Sequence, residues 1–352
     1  MDKIVLTGGG TAGHITPNIA LIPYLSEYEL HYIGQPDSME QDMIYKSCPQ
    51  VIFHPLECVK LQRKFSLQNF SVPFKLLASK KKAKKILSEI QPKAIFSKGG
   101  FVALPVMLAA GKIPLILHES DYTMGLANKL ALNKCVHVCT SFASLATTVR
   151  HGVCTGAPLR KTIYTGDKVR AEFESGLKGR TNLLIMGGSL GAAAINEAVE
   201  TTLNDLCKQF NVVHITGKNH TKEIQQPNYF RLPFTDKISD YFAWADYCVT
   251  RGGANALFEL VALAIPALVI PLKKGISRGD QVDNAQYFEK LGCVKVLEQD
   301  LLSENPHALL TALNSLTADR QSLCKACRTA NNIDGTETIA TLIKEAAQRK
   351  AN

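Results

Sequence analysis

A chain of 352 residues is too long for one ordinary α/β core and about right for two domains. Its hydrophobic fraction of 46% and charged fraction of 20% are typical of a globular protein and exclude long disorder, while its apolar runs are too short or too interrupted by proline for a signal peptide or a membrane span. The ten cysteines lack the pattern of a small secreted framework, so we expect free thiols in the cytoplasm. The net charge of +9 is moderate, so its local distribution decides what it means.

The chain begins with a strand-like run, Ile4 to Leu6, followed by glycines at 8, 10 and 13 in the spacing G-x-G-x-x-G. Such a loop lets the backbone approach a phosphate at a helix N-terminus, although a tight turn without a ligand remains an alternative. Pro17 is predicted in the first helical turn. A nicotinamide or flavin site also needs an acid at the end of the second strand, and Asp37 comes late, behind a proline. The pattern therefore disfavours a dehydrogenase.

A basic segment follows, with ten Lys or Arg residues against the single acid Glu89 between residues 60 and 93. Phenylalanines alternate with these lysines, which is typical of a surface that binds an anionic membrane. The alternative is a solvated basic helix that packs its phenylalanines inward. Nothing else in the chain supports nucleic-acid binding, so we expect none. The candidate membrane residues are Phe65, Phe70, Phe74, Lys80, Lys81 and Lys82.

The chain then repeats its own pattern. Residues 94–117 resemble residues 247–270, since each has a strand, a basic residue, two glycines, an amphipathic helix and a proline before a buried strand. Lys98-Gly99-Gly100 thus corresponds to Arg251-Gly252-Gly253. A second strand and glycine turn, from Leu183 onward, match the beginning of the chain. We predict an α/β fold of two Rossmann-like doubly wound domains, 1–160 and 161–335, with a C-terminal helix at 336–352 joined to the first.

Four glycine turns at the ends of predicted parallel strands suit two domains that face each other across a cleft, one for a nucleotide-diphosphate donor and one for an acceptor. A group-transfer enzyme is therefore favoured over a redox enzyme. No D-x-D pair offers a carboxylate clamp for Mg²⁺, and Cys324 and Cys327 lack the second pair or the histidine that zinc would need. We expect neither a metal nor another cofactor.

Seven motifs occur in the order and approximate spacing of the MurG family of peptidoglycan glycosyltransferases, which the chain resembles from its start to about residue 295. They are GGGTAGHITP, SKGGFVALP, HESDYTMGLANKLA, TGAPLR, MGGSLGAAAIN, TRGGANALFEL and SRGDQVDNAQYFEKLG. The resemblance implies the GT-B fold, with N-acetylglucosamine (GlcNAc) transferred with inversion and without a metal. It implies UDP-GlcNAc as donor and undecaprenyl-diphosphoryl-MurNAc-pentapeptide as acceptor.

The same resemblance implies a peripheral enzyme at the cytoplasmic face of the cell membrane, acting in peptidoglycan synthesis and cell wall biogenesis, and through them in cell shape, cell division and the cell cycle. Other cell-wall synthesis proteins are implied as partners. Rival interpretations are a lipid glycosyltransferase that makes glucosyl-diacylglycerol, a non-enzymatic nucleotide-sugar-binding subunit, and a nicotinamide oxidoreductase.

Residue by residue, the resemblance makes His14 the general base that takes the proton of the attacking C4 hydroxyl, with binding of the acceptor diphosphate as its alternative role. Glu119 is implied to assist His14 or to orient the acceptor, and closing the end of a strand is its structural alternative. The remaining acceptor-side candidates are Thr11, Ala12, Gly13 and Asp121, and Asp121 stands where the family often has asparagine.

On the donor side, the resemblance implies that Ser189 and the glycines around it hold the α-phosphate, that Glu259 binds the ribose hydroxyls, and that Gln281 and Asn284 bind GlcNAc. Phe234 and Thr235 match a loop that reads uracil, and Arg160 matches a nucleotide-contacting arginine. Asp280 replaces the family's glutamine or histidine, and an acid cannot donate as an amide does. The donor-side set is Arg160, Gly188, Ser189, Gly191, Phe234, Thr235, Asn255, Glu259, Asp280, Gln281 and Asn284.

Overall fold

The structure is a computed structural model that describes residues 1–58, 72–188, 191–218, 220, 224–273, 275 and 279–349. The chain divides into two compact units. The first consists of Met1–Arg160 together with Asp334–Asn352, and the second of Lys161–Ile333. Three candidate residues, Phe65, Phe70 and Ser189, lie outside the described residues.

The first unit contains a seven-stranded parallel sheet in the order β3-β2-β1-β4-β5-β6-β7. Its strands are β1 (Lys3–Thr7), β2 (Glu29–Gly34), β3 (Ile52–Pro55), β4 (Ala94–Ser97), β5 (Leu115–Glu119), β6 (His137–Thr140) and β7 (Gly152–Cys154). Its helices within this part of the chain are α1 (Ala12–Leu21), α2 (Met39–Ser47), α3 (Val72–Ile90), α4 (Gly100–Ala109), α5 (Leu126–Ala131) and α6 (Ala143–Thr148), with short 3-10 helices at Ile22–Leu25 and Leu132–Lys134.

Helices cover both faces of this sheet, as the continuous apolar strands predict. Alternate residues of β1 point to opposite faces, so Ile4 and Leu6 belong to one core cluster and Val5 to another. All three side chains are fully buried. The first sheet thus lies in the middle of its unit, and its strand ends are the part left for a binding site.

The second unit contains a six-stranded parallel sheet in the order β10-β9-β8-β11-β12-β13. This order matches the first six strands of the other sheet, which confirms the predicted pair of doubly wound α/β domains. The strands are β8 (Asn182–Met186), β9 (Asn211–Ile215), β10 (Tyr229–Leu232), β11 (Tyr247–Thr250), β12 (Ala267–Val269) and β13 (Val294–Val296). The helices are α7 (Lys168–Ser175), α8 (Ala193–Gln209), α9 (Ile238–Trp244), α10 (Ala254–Ala262), α11 (Asp280–Lys290), α12 (Gln299–Glu304), α13 (Ala308–Ala318) and α14 (Arg320–Thr329), after a 3-10 helix at Lys161–Thr165.

The last helix, α15 (Thr336–Gln348), belongs to the first unit. The chain returns beside residue 157, where Gly335 N donates to the Ala157 carbonyl at 2.8 Å, and the Leu159 amide donates to the Thr336 hydroxyl at the same distance. Ile339 and Ile343 of α15 are fully buried in the cluster that contains Ile4 and Leu6. This helix therefore completes the core on one face of the first sheet.

The predicted position of Pro17 is wrong. Helix α1 already begins at Ala12, with Thr11 as its N-cap, so that Pro17 lies in the second turn rather than the first. Proline has no N–H to donate to the carbonyl four residues earlier, here that of Gly13, and its presence interrupts the backbone ladder of the helix. The glycine-rich loop is therefore shorter than the sequence pattern suggested.

Candidate active site

The acceptor-side candidates lie at the carboxyl edge of the first sheet, where ligands of parallel α/β domains bind. Thr11 caps α1, Ala12, Gly13 and His14 form its first turn, and Glu119 and Asp121 end and follow β5. Thr11 and Gly13 are exposed, and His14 is half-buried. The structure thus brings these six candidates to one edge of one domain.

The loop between β1 and α1 is held by Glu40, which is 2% exposed. Gly10 N donates to Glu40 Oε2 at 3.4 Å, and Gln35 N donates to Glu40 Oε1 at 3.3 Å. The sequence pattern does not reveal this residue, because the acid of a ribose-binding fingerprint is expected at the end of β2 and none is present there. The acid is present in the first turn of α2, and it binds the glycine loop itself.

Two further buried side chains fix the same loop. Asn18 donates to the carbonyls of His14 and Thr7, at 3.1 and 3.3 Å. The Tyr32 hydroxyl donates to the Gly8 carbonyl, and burial raises the pKa of Tyr32, so this donor keeps its proton throughout the working range. The backbone of the loop is therefore set in place before any ligand arrives.

The imidazole of His14 bonds to Thr11, with 2.8 Å between His14 Nδ1 and Thr11 Oγ1. If Nδ1 carries the proton and donates to Thr11, Nε2 keeps a lone pair that can accept a proton from a substrate. The Thr11 hydroxyl can accept this bond, so the arrangement is compatible with a base. Gly100 lets the next loop approach, because its φ is +84° and an added Cβ would lie 2.8 Å from the Gly9 carbonyl oxygen and 3.6 Å from His14 Cδ2.

Lys98 is buried directly after β4, with 3% of its surface exposed. Its ammonium donates to His118 Nδ1 at 2.5 Å and to the Ser120 hydroxyl. Since His118 Nε2 donates to the Gly156 carbonyl at 3.1 Å, His118 is a neutral imidazole, and burial followed by the charge of Lys98 lowers its pKa well below its ordinary value. Burial also lowers the pKa of Lys98 to about 7, against the opposing effect of Glu119 and Asp121.

Glu119 is 7% exposed and accepts three hydrogen bonds. Asp121 N donates to Oε1 at 3.2 Å, while Gly125 N and Asn128 Nδ2 donate to Oε2 at 2.9 Å each. These bonds hold the segment that carries Asp121, which is half-buried. They favour the structural alternative for Glu119, while its contact with an acceptor remains a prediction.

In the second unit, the glycine turn after β8 closes on itself through a bond of 2.8 Å from Gly191 N to the Gly188 carbonyl. Gly191 has a φ of +83°, and an added Cβ would lie 2.4 Å from the Thr216 carbonyl oxygen. Helix α8 begins shortly after this turn, so its free N–H groups point toward the same edge of the second sheet. Gly188 is exposed there and available to a phosphate.

A buried neutral network lies behind this turn. Asn196 donates to the Thr216 carbonyl at 3.0 Å, and its amide oxygen is 3.1 Å from His214 Nε2. The other nitrogen of His214 is 3.0 Å from the Tyr229 hydroxyl, and burial lowers the pKa of His214 to about 3. Asn196 is the last residue of the motif MGGSLGAAAIN, but only the structure shows that it supports the donor-side turn.

Two candidates on α11 bond to the loops after β11 and β12. Asn284 is fully buried and donates to the Gly252 carbonyl at 3.1 Å, while Gln281 Oε1 accepts from Leu272 N at 3.0 Å. Arg251 is buried before this turn and donates to the Ile270 carbonyl at 3.0 Å and to Gln299 Oε1 at 2.7 Å. Asn284 therefore holds the turn, and its predicted contact with a sugar remains a prediction.

The remaining candidates of the second unit follow β10 or lie on two helices. Phe234 is half exposed, with Lys218 Nζ 5.0 Å from its ring centre, and the Thr235 hydroxyl accepts from Lys237 N at 3.0 Å. Asn255 and Glu259 lie on α10 and Asp280 opens α11, all three half-buried. Arg160 is half-buried and is the last residue of the first unit before the chain enters the second at Lys161.

Helix α3 carries the described part of the basic segment. It buries Ala83, Leu87 and Ile90, whereas Phe74 is 76% exposed and Leu77 is exposed beside it. Lys81 and Lys82 are exposed and Lys80 is half-buried. Phe74 thus does not pack inward as the solvated-helix alternative requires. Within the described ranges, no helix is long and apolar enough to cross a membrane, and no three His, Cys, Asp or Glu side chains converge as metal ligands.

Comparison with known families covers most of the chain. The model of the glycosyltransferase family 28 N-terminal domain matches residues 4–140, and that of the family 28 C-terminal domain matches residues 182–345. The chain belongs to glycosyltransferase family 28. It is therefore a glycosyltransferase, and each of the two doubly wound sheets corresponds to one family 28 domain.

Curated family 28 relatives align over their whole length. The chain is 42% identical to a Lachnoclostridium phytofermentans protein over 98% of this chain and 99% of the relative, and 40% identical to one from Clostridium tetani over 97% and 98%. Both are named UDP-N-acetylglucosamine--N-acetylmuramyl-(pentapeptide) pyrophosphoryl-undecaprenol N-acetylglucosamine transferase.

Solved structures agree on the fold. The crystal structure of MurG from Acinetobacter baumannii superimposes with a TM-score of 0.72 at 22% identity, covering 98% of this chain and 99% of that one. A kitacinnamycin glycotransferase gives a TM-score of 0.75 at 16% identity over the same shares of the two chains. These neighbours place the family 28 chain among two-domain GT-B glycosyltransferases.

Proposed function

We propose that the protein transfers GlcNAc from UDP-GlcNAc to the C4 hydroxyl of undecaprenyl-diphosphoryl-MurNAc-pentapeptide, which converts lipid I to lipid II in peptidoglycan synthesis. The observation that carries this proposal is the 42% identity, over 99% of its length, to a relative whose name specifies that transfer. The polar residues at both sheet edges support it, because a transfer between two large substrates needs two sets of binding groups.

His14 is the base in this proposal. With Nδ1 donating to Thr11 Oγ1, Nε2 accepts the proton of the C4 hydroxyl as that oxygen attacks the anomeric carbon. A single displacement of this kind inverts the configuration of the anomeric carbon. The bond to Thr11 orients the ring, and the exposed first turn of α1 offers amides to the acceptor diphosphate.

The donor binds at the carboxyl edge of the second sheet. Negative charge develops on UDP as it leaves, and amides around Gly188 and Gly191 with the N-terminus of α8 stabilise it. Glu259 binds the ribose hydroxyls and Gln281 and Asn255 face the sugar nucleotide in this proposal. No metal or other cofactor takes part, because these groups and cationic side chains meet the charge.

The enzyme works on the cytoplasmic face of the cell membrane as a peripheral protein. Support comes from Phe74 and Leu77, which are exposed next to lysines on α3 and would insert into an anionic leaflet. This position brings the first domain to its lipid-linked acceptor and to other cell-wall synthesis proteins. Cell wall growth, and with it cell shape and division, would depend on the activity.

The test measures UDP release from UDP-GlcNAc with and without a short-chain lipid-linked MurNAc-pentapeptide. We expect strict dependence on this acceptor, no loss of rate in EDTA, and a β-linked product from the α-linked donor by NMR. Turnover with plain diacylglycerol instead would favour a glucosyl-diacylglycerol type of enzyme. Binding of UDP-GlcNAc without turnover would favour a non-enzymatic subunit, and loss of activity in EDTA would overturn the metal-independent mechanism.

A further inference from the structure

Lys98 connects two loops of the candidate acceptor site. Its backbone N donates to the Thr7 carbonyl at 3.0 Å, and its side chain packs on the loop after β1, where a Cβ added to Gly8 would lie 3.0 Å from Lys98 Cβ. Its ammonium reaches across to His118 and Ser120, at the end of β5. One buried side chain therefore contacts the loop that presents His14 and the segment that presents Asp121.

The groups that face this ammonium come from two strands. Glu119 and Asp121, at and after the end of β5, favour its charged form. Cys139 of β6 also faces it, but burial raises the pKa of this thiol to about 12, so it stays neutral. His118 is neutral, and toward this ammonium it acts only as a hydrogen-bond acceptor, through Nδ1. Removing Lys98 would thus leave these two carboxylates without the buried cation that faces them, at the edge where an anionic diphosphate is expected to bind.

We propose that Lys98 is a positioning residue for the acceptor: it ties the loop after β1 to the Ser120–Asp121 segment and balances the carboxylates of Glu119 and Asp121. The inference rests on the transferase function proposed above, because it assigns Lys98 to the acceptor half of that reaction. The proposal requires, specifically, that the charge of Lys98 interacts with the charge of Asp121. A lysine that merely fills space would not depend on the charge at position 121.

A double-mutant cycle with Lys98→Met and Asp121→Asn tests this pairing. We expect Lys98→Met to raise the KM for the lipid-linked acceptor by at least about tenfold, the factor that corresponds to about 1.4 kcal/mol, with little change in the KM for UDP-GlcNAc. When added to Lys98→Met, Asp121→Asn should cause no further loss and should restore part of the acceptor KM. Lys98→Arg, which keeps the cation, should lie closer to the wild type than Lys98→Met.

Thermal unfolding between pH 6 and pH 9 provides a readout that does not need activity. The pKa of Lys98 is lowered from 10.5 to about 7, so the unfolded chain binds the extra proton between these values. The cost of burying the ammonium is fully present below about pH 7 and falls as the pH rises toward 10.5. The difference in Tm, wild type minus Lys98→Met, should therefore increase as the pH rises from 6 to 9.

The results separate this inference from the proposed function. Additive effects of the two substitutions on acceptor KM, together with a Tm difference that does not change with pH, would overturn the role of Lys98. A wild-type enzyme without acceptor-dependent UDP release would overturn the proposed function instead. If Lys98→Met does not fold, Lys98→Gln, which also removes the charge but can still bond to His118 and Ser120, replaces it in the cycle, and additive effects of Lys98→Gln and Asp121→Asn on the acceptor KM would then overturn the role of Lys98.

Discussion

The two domains share the same strand order but differ in the buried polar side chains that support their loops. Each buries one cation directly after its central strand: Lys98 after β4 and Arg251 after β11. Lys98 lies near two carboxylates and has a pKa lowered to about 7, whereas Arg251 donates to a carbonyl and an amide and has a pKa lowered to about 10 by burial. Of these two cations, only that of the first domain can change its charge near neutrality.

The glycine loops differ in the same direction. His14, in the first turn of α1, and Ala193, at the start of α8, lie equally far beyond the ends of β1 and β8, at Thr7 and Met186. An imidazole therefore follows the first glycine loop where a methyl group follows the second. Charged Glu40 holds the first loop, and the neutral Asn196 network supports the second. A doubly wound frame can therefore be adapted to proton transfer in one copy and to fixed anion binding in the other.

The largest effect should come from removing the imidazole. We expect His14→Ala to lower kcat by about 10² to 10⁴, the usual contribution of a general base, while UDP-GlcNAc affinity stays close to normal. The measurement is kcat with both substrates saturating. His14→Gln is the control, since its amide can still bond to Thr11 but cannot take a proton. Near-normal kcat in either variant would contradict the role of His14 as a general base, and with it the proposed difference between the two glycine loops.

Alanine substitution of two corresponding glycines, one in each domain, should lower the free energy of unfolding by different amounts. Gly100→Ala places a side chain at a φ of +84° and 2.8 Å from the Gly9 carbonyl oxygen, so it should cost about 1–3 kcal/mol of unfolding free energy. Gly253, its counterpart, has a φ of −72° and open space where a Cβ would be added, and Gly253→Ala should cost less than about 1 kcal/mol. Denaturant unfolding measures the loss of unfolding free energy in each variant. Equal losses would contradict the difference in crowding and backbone conformation between the two turns.

The charged and neutral supports can be compared through two buried asparagines. Asn128 donates to the Glu119 carboxylate, and Asn284 donates to the Gly252 carbonyl. Because hydrogen bonds to charged groups contribute about 1.5–3 kcal/mol and neutral ones about 0.5–1.5 kcal/mol, Asn128→Ala should destabilise more than Asn284→Ala. Calorimetric Tm values at one pH decide the order, and a larger loss for Asn284→Ala would reverse it.

The smallest effect concerns the surfaces of the two domains. Phe74 of the first is 76% exposed on a basic helix, and Phe173 of the second is 90% exposed on α7. Phe74→Ser should weaken binding to anionic vesicles by about threefold to tenfold, since partial burial of a phenylalanine contributes up to about 1.5 kcal/mol. Phe173→Ser is the matched control and should leave vesicle flotation unchanged. Equal losses would assign no special role to α3.

The two doubly wound domains could be predicted from the sequence because their strands and turns depend on local patterns. Apolar strands, glycine turns and the repeated segment at 94–117 and 247–270 were sufficient for two doubly wound domains, and the sheet orders confirm them. The start of α1 was less accessible, because Pro17 suggested a later first turn than the N-cap at Thr11 provides. A helix boundary depends on which of several possible caps the tertiary structure uses.

The supports of the site could not be predicted in the same way. In the sequence, Lys98 is recognisable only as the basic residue before two glycines, and no motif marks Glu40. Their roles depend on contacts with residues distant in sequence: Lys98 with His118 and Glu40 with Gly10. A sequence pattern shows that a polar residue follows a strand, but not whether its side chain points into the core or out toward a ligand.

Helix α15 affects the order in which the enzyme can fold during synthesis. The ribosome completes β1 before the second domain and α15 only after it, yet Ile339 and Ile343 cover the face of the first sheet that contains Ile4 and Leu6. The second domain is contiguous in the chain and can fold as soon as it has emerged. The first domain therefore cannot complete its hydrophobic core until α15 has been synthesised. Until then, one apolar face of its sheet stays exposed and can bind chaperones.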